Sequence, residues 1–223
     1  MAIKTRGDKL IINPYRFGAV VSAPTVRHAT FASASGEITF SPISVNAGDT
    51  LIVTYSQWQA ADRTYACTDN VNSGWVNRTR NYLGGLLVGC SYKIASSSGT
   101  ITVKCTPNVG TIPVAGVLYC ITASTFDAES LQTAETSGNS HNNCPSGQID
   151  TAANVFLATV GVLHASASGP CTPGSGFTES YNGNVLLHMY KTSNAALTDE
   201  RCPWTHTGTA RRNEVSGAWS FKT

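Results

Sequence analysis

Val45-Asn46-Ala47-Gly48-Asp49-Thr50-Leu51-Ile52-Val53-Thr54-Tyr55 is the stretch whose reading decides the fold. Gly48-Asp49 is turn chemistry: glycine accepts positive φ, and an aspartate side chain bonds nearby backbone N–H groups. Thr50 to Tyr55 then alternates, with Leu51, Val53 and Tyr55 on one face, which is the period of a strand. A polar excursion follows. It ends in a second turn, Asp69-Asn70-Val71-Asn72-Ser73-Gly74, that returns the chain at Trp75.

Outward from this stretch the same grammar repeats. Strands are predicted over 9–13, 18–23, 26–32, 37–40, 74–78, 83–95, 100–105, 114–123, 154–164, 185–190 and 215–221. Gly84-Gly85 and Gly89 read as bulges in the long 83–95 strand. The 100–105 strand reads as its hairpin partner across Ser96-Ser97-Ser98-Gly99. Val114 to Ala123 is almost wholly apolar, as a strand covered on both faces is. Thr125 to Gly147 turns polar, with one helical turn predicted at Asp127–Leu131. The spans 165–176 and 192–212 read as loop. Strands without an amphipathic helix predict an all-β, antiparallel β-sandwich. Jelly-roll-like connectivity is the first expectation and an immunoglobulin-like Greek key the alternative. No linker, low-complexity tract or strong short repeat stands out, so 18–223 is expected to be a single β-sandwich domain.

Charged residues make up only 13% of the chain, against roughly 25% in ordinary soluble domains. A weakly charged surface suits contact with protein neighbours. The net charge of +2 is too small to indicate nucleic acid, and no run approaches the length of a membrane helix. Residues 1–17 are locally basic, with Lys4, Arg6, Lys9 and Arg16 against Asp8, and are expected to be an arm that docks on a neighbouring subunit. Met1 to Asp8 has no apolar core of a signal peptide, so synthesis in the cytoplasm is expected.

The seven cysteines fall into two groups. Cys90, Cys105 and Cys120 lie in apolar strands and read as small buried hydrophobes. Cys67, Cys144, Cys171 and Cys202 lie in turn-like contexts, as disulfide partners or free thiols. No Cys-x-x-Cys pair is present to suggest zinc. The chain has no Gly-x-Ser-x-Gly, His-Glu-x-x-His or P-loop sequence. The Asp69 turn would place Val71 at a calcium-ligand position, which valine cannot fill. No catalytic residue, metal site or cofactor is therefore assigned. Trp58, Tyr65 and Trp204 lie at or near predicted loops and are the candidate partner-binding aromatics.

Ala47-Gly48-Asp49-Thr50-Leu51-Ile52-Val53, Thr68-Asp69-Asn70 through Gly74-Trp75, and Gly217-Ala218-Trp219-Ser220-Phe221-Lys222 resemble motifs of a group of β-sandwich domains. That group occurs in tailed-bacteriophage virion proteins and bacterial surface proteins. The resemblance spans about residues 36–223 and carries no catalytic residues across. It implies a non-enzymatic virion structural protein, first of all a capsid decoration or cement protein. Such a protein would bind the major capsid protein through arm and loops and would be a homo-oligomer in the virion. The alternatives are a tail or fibre component, or a carbohydrate-binding module whose aromatics meet a surface glycan. Neither nucleic acid nor membrane is expected as a partner.

Overall fold

The computed structural model describes residues 21–58, 62–71, 74–135, 143–144, 148–165, 171–183, 185–201, 204–206 and 211–223. Among these the chain is all-β and its sheets are antiparallel. The first half contains β1 (Val26–Ser35), β2 (Ile38–Thr39), β3 (Ile43–Val45), β4 (Thr50–Gln57), β5 (Tyr65–Asp69) and β6 (Val76–Asn77). It continues with β7 (Asn81–Leu83), β8 (Leu86–Ile94), β9 (Gly99–Ile101), β10 (Val103–Pro107) and β11 (Pro113–Ile121). The second half contains β12 (Thr125–Glu135), β13 (Asn143–Cys144), β14 (Val155–Ala165) and β15 (Cys171–Pro173). β16 (Thr178–Gly183), β17 (Leu186–Ser193), β18 (Trp204–His206) and β19 (Arg211–Lys222) complete it.

Within the domain expected over 18–223, the chain builds two sandwiches of like connectivity. In the first half a large sheet runs β1-β11-β4-β8-β6, with β7 also on β8, and a small sheet runs β2-β10-β5. In the second half the large sheet runs β12-β19-β14-β17-β16 and the small one β13-β18-β15. Each half pairs its first strand with its last, and each small sheet uses the intervening strands in the same order. The β3-β9 pair has no counterpart among the described strands.

Strand register makes the equivalence residue-specific. Leu51 pairs with Lys93 and Ile52 with Tyr92; Leu157 pairs with Lys191 and Ala158 with Tyr190. The sequence Tyr-Lys thus occupies the same place in β8 and in β17.

The large sheets stack face to face. Contacts run from β1 to β16, β4 to β14, β8 to β19 and β7 to β12. Exchanging the halves maps the first contact onto the last and the β4–β14 contact onto itself, as in an isologous dimer. The central core holds Ile52, Val88, Val117 and Tyr119 from one sheet against Phe156, Val160, Trp219 and Phe221 from the other. A second core, with Leu51, Val53, Tyr55, Val103 and Leu118, lies beneath the first small sheet. A third, with Leu157, Leu187, Met189 and Trp204, lies beneath the second. Because both faces of β11 and β14 are covered, these strands read as nearly continuous apolar runs.

Several local expectations change. Gly84-Gly85 is a hairpin turn between β7 and β8, with φ of 55° and 92°, rather than a bulge. The 100–105 segment pairs not with β8 but with β3 through β9, and with β2 and β5 through β10. The helical turn predicted at 127–131 is part of the edge strand β12, whose Asp127 and Glu129 are held by Lys222 and Arg78. Ala218 and Ser220 of β19 are buried because the second small sheet and Asp127 cover that face of the strand.

Candidate functional site

The two turns of the opening stretch each close on a carboxylate. Asp49 Oδ2 accepts a hydrogen bond from the Asn46 backbone N–H at 2.8 Å, and Arg27 Nε lies 3.2 Å from Oδ1. The Cys120 thiol donates to Oδ2 at 3.6 Å. Burial, together with this adjacent carboxylate, pushes that thiol up to about 12. Asp69 Oδ1 accepts from the Val71 backbone N–H at 2.9 Å, the Asx turn that the sequence predicts. Its Oδ2 accepts from Trp75 Nε1 at 2.9 Å and from Lys93 Nζ at 2.7 Å. The Lys93 and Asp69 side chains are 3% and 1% exposed. The Lys93 ammonium also faces the Trp75 ring, 5.9 Å from its centroid. All three groups are therefore committed to holding β5 and the following turn against β8.

A second polar centre joins the two large sheets. His188, fully buried on β17, hydrogen-bonds Thr54 Oγ1 through Nδ1 at 2.9 Å and Ser56 Oγ through Nε2 at 3.1 Å. Burial depresses its pKa to about 3, so the ring is neutral, donating at one nitrogen and accepting at the other. A serine beside a histidine is the composition of a nucleophile and its base. Here both lie between packed sheets at 0% exposure, where substrate has no approach. The site is an inter-sheet bridge. Its counterpart across the pseudo-twofold is apolar: Cys90 replaces His188, and Val160 and Val162 replace Thr54 and Ser56.

A recess of about 470 Å³ on the described surface is lined by Ser22, Pro24, Thr25, Tyr190, Thr192 and Asn194. Among the described residues no group of three or more His, Cys, Asp or Glu is placed to hold a metal ion.

The candidate residues do not converge. Tyr65 is in β5, 2% exposed, and its hydroxyl donates to Gln57 Oε1. Trp204 is in β18, also 2% exposed, with its indole over Gly161, where a Cβ has no room. Both are core residues of the small sheets and leave the set of outward-facing aromatics. Short strands that cap a sandwich read as loop, and this concealed them. Trp58 is half-buried at the end of β4 and packs on the central core. Lys4, Arg6, Lys9, Arg16 and Cys202 lie outside the described residues. Cys67 and Cys171 are buried strand thiols rather than loop residues; Cys144 belongs to β13. What the sequence did not single out is the β6–β8 side of the large sheet, where Val76, Tyr82 and Ile94 are exposed.

No family model matches the sequence, and no curated protein or solved structure matches it either.

Proposed function

We propose that the chain is a non-enzymatic structural protein of a tailed-bacteriophage virion, a capsid decoration protein that binds the capsid lattice through its basic arm and its exposed aromatic and apolar side chains. One observation carries the structural half of this reading. The ionisable groups inside the molecule hold its elements together: Asp49 on Arg27 within one sheet, Asp69 on Lys93 and neutral His188 on Thr54 and Ser56 between sheets. Two sandwiches welded through a continuous core make a rigid block suited to presenting surfaces. We read each half as a jelly roll, because its first strand pairs with its last across the large sheet while the small sheet takes up intervening strands. The virion half of the reading rests on the resemblance of the Gly48–Val53 strand, the Asp69–Trp75 turn and the closing strand.

The test is co-sedimentation of the purified protein with capsids that lack it. Saturable binding in a fixed ratio to the major capsid protein is expected. Deleting residues 1–17 should abolish that binding and leave the thermal transition unchanged, and Trp58→Ala should weaken it. Binding confined to tails would replace decoration with a tail role. Binding to glycans but not capsids, lost in Trp58→Ala, would replace it with carbohydrate recognition.

A further inference from the structure

Cys67 and Cys105 sit opposite each other on β5 and β10. Which kind of pair they form follows from two backbone hydrogen bonds. Phe40 N–H donates to Val103 O, and Asn108 N–H donates to Thr64 O. Backbone groups of alternate residues on a strand point the same way. Val103, and with it Cys105, therefore directs its N–H and C=O toward β2. Asn108, Thr106 and Lys104 direct theirs toward β5. Both bonds place Cys105 opposite Cys67 in a non-hydrogen-bonded antiparallel pair. In such pairs the Cα atoms lie about 4.5 Å apart and the side chains are closest, within the span a disulfide bridges, roughly 4.4–6.8 Å. Both side chains enter the same core. The two are reduced in this structure.

We propose that Cys67 and Cys105 are a latent cross-strand disulfide, formed when the chain meets a peroxide. Cys67 is the entry point, being 6% exposed where Cys105 is fully buried. Its thiolate attacks one peroxide oxygen. The O–O bond breaks, water leaves after proton uptake, and Cys67 becomes a sulfenic acid. The Cys105 sulfur, opposite it on the neighbouring strand, then attacks the Cys67 sulfur. The S–S bond forms, the S–O bond breaks, and the hydroxyl leaves as water with the Cys105 proton. In sum two thiols lose two electrons and two protons, and one hydrogen peroxide becomes two waters. Among the cysteines whose side chains are described, Cys90 and Cys171 lie in different cores, and Cys120 donates to Asp49. The product ties β5 to β10 and closes the chain between them, so it stabilises by restricting the unfolded ensemble. This inference does not depend on the virion reading.

The test treats the reduced full chain with one equivalent of hydrogen peroxide, blocks remaining thiols, and maps peptides without reduction. The expected product is a single cross-linked peptide pair containing Cys67 and Cys105, lighter by two hydrogens than the separate thiol peptides. It should revert with dithiothreitol and raise the thermal midpoint. Cys67→Ser and Cys105→Ser should each abolish the cross-link and the peroxide-dependent rise. If either variant fails to fold, the wild-type peptide map decides alone. Cys67 recovered as sulfinic acid without a cross-link, joined to a different cysteine, or alkylated in full yield alongside Cys105 would overturn the proposal.

Discussion

Lys93 and Lys191 are counterparts in the two halves of one chain. Each follows a tyrosine on the fourth strand in the order of its large sheet, and they lie opposite Leu51 and Leu157 respectively. Each pairs with a carboxylate at 2.7 Å, Asp69 or Glu200. Each also faces an aromatic ring that precedes the neighbouring edge strand, Trp75 or Phe177. They differ in depth. The Lys93–Asp69 side chains are 3% and 1% exposed, and those of Lys191–Glu200 are 22% and 19%.

That difference sets the first prediction. Lys93→Met strands a buried carboxylate and should cost about 3–5 kcal/mol. Lys191→Met leaves a carboxylate that water partly solvates and should cost less than about 1 kcal/mol. Urea unfolding of the two variants measures both. Equal losses would refute the contrast in depth.

His188 gives the molecule an acid-side weakness. Its folded pKa is depressed to about 3 by burial, while the unfolded chain binds its proton near pH 6.5. Between these values the unfolded state holds more protons, so stability should be lost as pH is lowered, by up to about 1.4 kcal/mol per unit. It should be complete above pH 6.5. His188→Gln keeps a hydrogen-bonding side chain and should flatten the slope of unfolding free energy between pH 6.5 and 4.5. An unchanged slope in that variant would assign the effect to other groups.

Two glycines are expected to tolerate no side chain. A Cβ at Gly89 meets the Tyr55 ring, and one at Gly161 meets the Trp204 indole at 2.5 Å. Gly89→Ala and Gly161→Ala should each cost about 1–3 kcal/mol through overpacking. Thermal denaturation reads this directly, and a neutral Gly161→Ala would show that Trp204 has room to move.

The opening stretch was legible because its local chemistry and its burial agree. Gly48 has φ of 89°, Asp49 bonds the Asn46 N–H, and Leu51, Val53 and Tyr55 do share one core. Strand β12 was not, because Asp127 and Glu129 read as solvent-facing charge, and only distant Lys222 and Arg78 make them strand residues. Tyr65 and Trp204 were misplaced for a related reason: strands of three to five residues carry too few alternations to show a period. The likeness of the halves is hidden in the sequence because they share few identities, such as Tyr92-Lys93 and Tyr190-Lys191. The central contact itself differs between the halves, Cys90 with Val160 and Val162 in one place and His188 with Thr54 and Ser56 in the other.

This difference makes the two halves complementary rather than interchangeable. Thr54→Val with Ser56→Val leaves both His188 nitrogens without partners in the core and should cost at least about 1–3 kcal/mol for each orphaned group. Adding His188→Leu to the pair should recover most of the loss, because all three positions then become apolar. A triple variant no more stable than the double one would show that the bridge is not an independent unit.

The central claim is that two like sandwiches fold as one body, because among the described residues the inner face of each large sheet packs on the other. Separate expression of fragments 1–123 and 124–223 tests this most directly. Each alone should lack a cooperative thermal transition. Mixed during refolding, they should form a one-to-one complex with the cooperative unfolding of the intact chain, read by calorimetry. A fragment that folds alone as a monomer, with a transition as sharp as that of the whole protein, would contradict it.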